Sequence, residues 1–158
     1  MSGGTIAERQ QALLVSRLQE IRAANGYLSD MGANVHQERT TFDEAESFPL
    51  LNVQFVGEAP KGDTGNSKKT TIDRTFRVEI WRNSDSEGLL SHLQDVKRAA
   101  ILRDRFDRFE DADGSLGSLN YRGTEQVERE IGGKLISGIG ALFVVTANET
   151  LGDPRTAT

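Results

Sequence analysis

The stretch TTIDRTFRVEIW (70–81) decides the fold, because apolar and polar side chains alternate along almost all of it. One side of a strand would carry Ile72, Phe76, Val78 and Ile80, and the other side Thr71, Asp73, Thr75, Arg77 and Glu79. Arg74 interrupts the apolar side, which indicates that the strand extends beyond the core at its start. The stretch LLNVQFV (50–56) alternates in the same way. The two runs predict an antiparallel hairpin whose long polar tip is GEAPKGDTGNSKKTT (57–71).

Two amphipathic helices flank this hairpin. Thr5 and Glu8 have the spacing of a capping box, and the apolar residues that follow recur at helical spacing as far as the Asn25-Gly26 stop. This pattern predicts a helix over about 6–24. A second capping box, Ser84 to Glu87, precedes apolar residues that recur at helical spacing, which predicts a helix ending near Leu102.

Further strands are predicted on both sides of these elements. ANVHQER (33–39) is a short strand candidate, SLNYRGTEQV (118–127) a longer one, and ISGIGALFVVTAN (136–148) contains an apolar run that is typical of a central strand. We therefore expect one α+β domain over 1–158, with an antiparallel or mixed sheet of four to five strands and two main helices on one face. The ordered core is expected over about 6–147, with a hairpin tip over 57–70 and a frayed tail over 149–158.

Composition narrows the functional classes. The chain has 158 residues, 36% of them apolar, a net charge of −5 and no cysteine. Disulfides, thiolate metal sites and cysteine nucleophiles are therefore excluded. No apolar run approaches the ~18 residues that a membrane helix needs, and the amino terminus has no blocks of a secretory signal. The low apolar fraction suits a subunit that completes its core against neighbouring subunits.

The candidate motifs for catalysis or ligand binding fail on inspection. Gly57 and Gly62 have the spacing of a phosphate-binding loop, but Asp63 stands where that loop needs lysine. DADGS (111–115) has no acidic residue at the outer positions of a calcium loop and is better interpreted as a turn at Asp113-Gly114. His36 and His92 have no ligand-spaced partners. We expect no enzyme activity, no cofactor and no metal.

Charge is distributed in blocks along the chain. Residues 61–82 carry six basic and three acidic side chains, and residues 109–130 carry two basic and six acidic ones. These blocks could form successive subunit contacts, or they could be an ordinary solvated surface. The basic residues Lys97, Arg98, Arg103, Arg105 and Arg108 keep a nucleic-acid-binding module open, although the net charge disfavours it.

Four stretches in order, LQEIRAANGYLSDMGANV (18–35), FPLLNVQF (48–55), TFRVEIWR (75–82) and LLSHLQDVKRAAI (89–101), carry a resemblance to a known family. The closest points are Asn25-Gly26-Tyr27, Asp30, Gly32, Val35, Pro49 and the run from Asp95 to Ala99. The pattern, over roughly 6–147, resembles the tail terminator (tail completion) proteins of long-tailed bacteriophages.

The resemblance implies a virion structural protein, assembled in the host cytoplasm, that forms a hexameric ring at the head-proximal end of the tail. It implies two partners, the tail tube protein and the head–tail connector, with DNA only passing through. Candidate assembly contacts are Lys61, Lys68, Lys69, Arg74 and Trp81. Trp81 either packs under a helix or anchors an interface. The alternative is another neck or head-completion connector protein.

Overall fold

The computed structural model describes residues 4–42, 48–61, 69–82, 88–101, 108–131, 133–150 and 153–157. The first helix, α1 (Ile6–Leu18), begins at the predicted capping box: the Thr5 hydroxyl accepts from Glu8 N, and the Glu8 carboxylate accepts from Thr5 N. The second helix, α2 (Leu89–Ala100), follows Gly88, which has a positive φ. The predicted capping box at Ser84–Glu87 lies outside the described residues.

Two short 3-10 helices, Ala23–Asn25 and Met31–Ala33, follow α1. The strands are β1 (Val35–Gln37), β2 (Leu50–Pro60), β3 (Lys69–Trp81), β4 (Glu110–Asp111), β5 (Gly114–Ser115), β6 (Ser118–Ile131), β7 (Lys134–Thr150) and β8 (Asp153–Ala157). The main sheet has the order β1-β2-β3-β7-β6, and β8 also pairs with β7. Among the described strand pairs of this sheet, β1–β2 is parallel and the others are antiparallel. The strands β4 and β5 form a small separate hairpin around the predicted Asp113-Gly114 turn.

Both helices pack on one face of the main sheet. Their buried side chains form a single cluster with the inward-facing residues of β2, β3 and β7; the cluster includes Leu14, Leu18, Val96, Ala99, Leu51, Val53, Phe76, Val78, Ile80, Ala141, Phe143 and Val145. The alternation in 50–56 and 70–81 therefore places one apolar side of each strand under the helices. The α+β class, the mixed sheet and the one-sided helical layer are confirmed.

The opposite face of the sheet carries a second, smaller cluster at the end where β3 finishes. Phe42, Leu50 and Trp81 are buried together there, with Phe48, Val127 and Ile136 against them. Trp81 therefore packs under the segment that contains Phe42, and neither helix covers it. Its burial is complete, so it is an internal residue of the chain.

Three boundaries differ from the sequence predictions. α1 ends at Leu18 instead of residue 24, because Glu20 N and Ile21 N bond the carbonyls three residues back and Ile21 O accepts from Gly32 N at 2.8 Å. β2 and β3 extend into the predicted tip, since the ladder continues to Pro60 and Ile72 and Lys61 N donates to Thr71 O at 2.8 Å. Glu149 and Thr150 belong to β7, and 153–157 forms β8, so that strand pairing replaces the expected frayed tail.

Candidate assembly surfaces

The β2–β3 and β6–β7 hairpins place their described tip residues at opposite ends of the main sheet. β3 pairs with β7 from Lys69–Thr150 at one end to Ile80–Ile139 at the other. Lys61 and Lys69, the described residues nearest the β2–β3 turn, lie at the first end. The β6–β7 hairpin continues beyond the second end, where Val127–Gly138 to Ile131–Lys134 pair with each other but not with β3. We call the residues 127–131 and 133–138 the arm, and Lys61 with Lys69 the basic tip.

The basic tip is formed by the last residue before, and the first residue after, the segment 62–68. Lys61 and Lys69 are both exposed. Lys68, a third predicted contact, lies outside the described residues. Two of the predicted contact residues, Lys61 and Lys69, therefore lie at the surface at one end of the sheet.

The arm presents acidic side chains on one of its faces. Glu128 lies opposite Ser137 and Glu130 lies opposite Leu135 in the hairpin ladder. Both glutamates are exposed, and Leu135 is 68% exposed. Because successive residues of a strand point to opposite faces, Arg129 faces the other way. The arm therefore has one exposed acidic face with a leucine on it and one face directed at the sheet.

Arg129 fastens the arm to the body of the protein. Its guanidinium lies 5.5 Å from the Phe42 ring centre and 5.6 Å from that of Trp81. It donates to both carboxylate oxygens of Glu79, at 2.9 and 3.1 Å, and to Thr40 O at 3.0 Å. Charge-assisted hydrogen bonds combined with ring stacking hold a guanidinium in one orientation.

Glu79 is the centre of this attachment. Its side chain is 1% exposed, and besides Arg129 it accepts from Asn52 Nδ2 at 2.9 Å, Trp81 Nε1 at 3.2 Å and Arg77 Nε at 3.1 Å. A buried carboxylate is tolerated when every such bond is made. The Asn52 side chain in turn accepts from Arg39 N and donates to Arg39 O. These contacts join β2, β3, β6 and the segment before Phe42 in one polar cluster.

Arg77 connects the two charge blocks within a single chain. It donates to Glu125 of β6 at 3.0 Å and to Gln54 of β2 at 2.8 Å. Burial by itself lowers the pKa of Arg77, but the hydrogen bond that Arg77 donates to Glu125 and the charge of Glu79 raise this pKa above its usual value. Part of the charge pattern along the sequence is therefore satisfied inside the chain.

Arg74, a predicted contact, is an interior residue. Its side chain is 6% exposed and donates to the equally buried Glu149 at 2.5 and 2.8 Å, and to Glu58 at 3.2 Å. Burial lowers the pKa of Arg74, but the hydrogen bond and charge of Glu149, with the charge of Glu58, raise it overall. The predicted assembly role for Arg74 is replaced by an internal ion pair, for which Glu149 is close enough because β3 pairs with the end of β7.

The outer edge of β2 carries exposed apolar residues. β1 pairs only with Leu51 to Val53, while Phe55 and Val56 further along are 42% and 49% exposed. A bulge interrupts the ladder between Phe55 and Gly57, and Pro60 has no amide hydrogen to donate. Bulges and prolines are devices that prevent edge-to-edge pairing. This edge is thus suited to side-chain contacts and unsuited to strand addition.

The sequence candidates for ligand chemistry have structural explanations. Asp111 of the DADGS stretch accepts two hydrogen bonds from Arg9, at 2.8 and 2.6 Å. Hydrogen bonding to Arg9 is the main reason that the pKa of the Asp111 carboxyl is lowered. His36 bonds the Asn34 side chain at 2.8 Å. A Cβ at Gly138 would lie 2.6 Å from Ile80 O, so the absence of a side chain at this glycine relieves crowding.

Some of the basic residues that suggested a nucleic-acid-binding module make contacts within the chain. Lys97 lies over the Tyr121 ring, and Arg98 lies over Tyr27 while donating to Gly26 O at 2.6 Å. Arg108 lies beside a cavity of about 370 Å³ and accepts a bond from Arg17 at its carbonyl. Arg103 and Arg105 lie outside the described residues. In the described part of the chain, Lys97 and Arg98 therefore pack against tyrosine rings of the same chain.

Sequence reasoning missed the Glu79–Arg129 cluster. The sequence shows Glu79 on the polar side of one predicted strand and Arg129 just after another, but it does not indicate that the two side chains meet. In the described parts of the chain, no three His, Asp or Glu side chains are grouped so as to hold a metal ion. Nor does any described helix have the length and hydropathy to cross a membrane.

Comparison with family models found no match, and comparison with curated protein sequences found none either.

Proposed function

We propose that this chain is a virion structural protein, a tail terminator that forms a ring on the last ring of a phage tail tube. In this role it stops polymerisation of the tube and presents a surface to the head-side connector. The partners are further copies of the chain, the tail tube protein and the connector. The proposal starts from the resemblance in the order of elements over roughly 6–147.

The observation that carries the proposal is the placement of exposed basic and exposed acidic side chains at opposite ends of one sheet. A subunit of a closed ring must offer two different surfaces, because each neighbour meets a different side of it. The basic tip and the acidic arm are two such surfaces on one rigid sheet. The fold class also agrees with what the resemblance implies, a sheet flanked by helices.

Charge supports the same role. A ring through which DNA passes should not grip phosphates, since phosphate neutralisation provides most of the affinity of nucleic-acid-binding proteins. The chain has a net charge of −5, and Lys97 and Arg98 lie against tyrosine rings. These features favour a structural ring over a nucleic-acid-binding module.

Tail length tests the proposal. In a phage that carries this gene with a disrupting mutation, we expect overlong tails of variable length without heads in electron micrographs, because the tube has lost its stop. Supplying the intact gene in trans should restore uniform tails and is the control. Tails of normal length beside unjoined heads would instead assign the protein to the head side of the neck, and infectious particles of normal shape would refute both assignments.

A further inference from the structure

We infer that the basic tip of one copy of this chain docks on the acidic arm of the next copy. The inference deepens the proposed function and rests on it for the closure of the contacts into a ring. The pair of surfaces is identified by charge: Lys61 and Lys69 on one side, Glu128 and Glu130 on the other. Each of these four side chains is exposed.

The placement of the two surfaces forbids contact within one chain. The basic tip lies where β3 begins, opposite Thr150 of β7, and the arm begins beyond Ile139, where β3 ends. The paired length of β3 and β7 between them spans eleven steps, which at ~3.4 Å each is about 37 Å. Complementary surfaces so far apart on a rigid sheet can only meet between copies. Where each copy contacts two different neighbours in this way, the contact is heterologous, the type that generates rings when it closes.

The arm is preorganised for such a contact. Arg129, on one of its faces, lies over the adjacent Phe42 and Trp81 rings and donates hydrogen bonds to Glu79. This attachment leaves the opposite face, with Glu128, Glu130 and the exposed Leu135, turned away from the cluster. Because these contacts already hold the arm in one conformation, docking costs less conformational entropy than it would with a mobile hairpin.

Leu135 adds apolar surface that can be buried in the contact, which the charged side chains do not provide. Exposed ion pairs contribute little affinity but set orientation and partner choice. A leucine 68% exposed between acidic residues can be covered by an apolar surface of the partner. Phe55 and Val56, exposed on the same hairpin as the basic tip, are apolar residues of that kind. The contact thus combines charge complementarity with burial of apolar area.

Zero-length cross-linking tests the docking directly. A carbodiimide joins lysine to glutamate only when the two side chains touch. We mix unlabelled and ¹⁵N-labelled wild-type protein at low salt and search for peptides that link Lys61 or Lys69 to Glu128 or Glu130. We expect mixed-isotope links, which prove contact between copies, and their loss at high salt, which screens exposed charges.

Charge reversal provides the matched variants. Lys61→Glu with Lys69→Glu, or Glu128→Lys with Glu130→Lys, should each reduce association in sedimentation velocity by about tenfold or more, because like charges then face each other. A mixture of the two variants restores a complementary pair at every contact between unlike variants, and association should recover. Arg22→Glu and Glu110→Lys, both at exposed positions outside the two surfaces, are the controls and should behave as wild type.

Three results would overturn the inference: a wild-type chain that gives no mixed-isotope links at its highest soluble concentration, association that is unchanged by both reversals, or no recovery of association in the mixture. Circular dichroism spectra of the variants separate these results from misfolding. Since tail length in the disrupted phage is measured independently, a failed docking contact and a failed tail-terminator assignment are distinguishable.

Discussion

At the scale of single residues, the buried Arg74 and Glu149 form an ion pair between distant parts of the sequence. Arg74 stands on the apolar side of β3, where the alternation of 70–81 requires an apolar side chain, and its partner Glu149 is 75 residues away in the sequence. The two buried groups make two hydrogen bonds with each other, and Gln10 of α1 contributes a third, at 3.3 Å. A charge in such a position is tolerated only with its partner in place.

Removal of Arg74 alone should destabilise the fold severely. For Arg74→Met we expect the free energy of unfolding to fall by about 3–5 kcal/mol, because Glu149 is left buried without its counter-charge. Urea denaturation at neutral pH measures this change. The double variant Arg74→Met with Glu149→Met should recover most of the loss, since both charges are then replaced by apolar groups of similar length.

Lys61→Met is the control for this experiment. Lys61 is exposed, so the same chemical change should alter the free energy of unfolding by no more than about 0.5 kcal/mol. Equal stability of the single variant, the double variant and the wild type would show that the Arg74–Glu149 pair contributes nothing.

At the scale of elements, the arm depends on close approach between β7 and the end of β3. Gly138 lies where a Cβ would be 2.6 Å from Ile80 O and 2.8 Å from a carbon of the Trp81 ring. The absence of a side chain lets the arm pass across the tryptophan, and so lets Arg129 reach Glu79. Gly140 is closely packed as well, because a Cβ there would lie 2.7 Å from Arg77 Cδ.

Gly138→Ala should therefore push the arm off the Trp81 ring. We expect a loss of about 1–3 kcal/mol in the free energy of unfolding, typical of overpacking, together with a changed Trp81 fluorescence spectrum. Gly57→Ala is the matched control, because a Cβ there meets nothing within 4 Å, and its stability should stay near that of the wild type. If Gly138→Ala matched Gly57→Ala in both readouts, the crowding argument would be wrong.

The existence and type of the main elements follow from local pattern, and their boundaries do not. The alternation in 50–56 and 70–81 and the Thr5–Glu8 capping box correctly predicted β2, β3 and the start of α1. The end of α1 could not be predicted from neighbouring residues, because the hydrogen bond to the Ile21 carbonyl comes from the amide of Gly32, eleven residues further along the chain. Likewise, the tail forms β8 only because β7 is long enough to pair with it.

At the scale of the whole molecule, stability should be highest along the centre of the sheet. β3 and β7 have paired neighbours on both sides, whereas the arm is a two-stranded ribbon and the outer edge of β2 is unpaired over Val56–Pro60 within the described sheet. Backbone amides protected by two-sided pairing and a packed core open only with large parts of the fold.

Hydrogen exchange should reveal this gradient. We expect the amides of 76–80 and 139–145 to exchange most slowly, near the rate set by global unfolding, and those of 128–131 and 134–137 to exchange faster through local opening. In Arg129→Met the arm amides should accelerate further while the central amides keep their rates, since the variant releases only the arm. Equal protection of arm and centre in the wild type would contradict this gradient.

The sequence by itself determined the α+β class, the two-sided character of each strand and the exclusion of thiol chemistry, because these depend on composition and on neighbours two to four residues apart. Only the tertiary structure decided that Trp81 and Arg74 are internal, that Glu79 and Arg129 meet, and that the basic tip and the acidic arm lie at opposite ends of one sheet. These depend on which strands pair and in what register, and such contacts join residues tens of positions apart whose individual identities specify no partner.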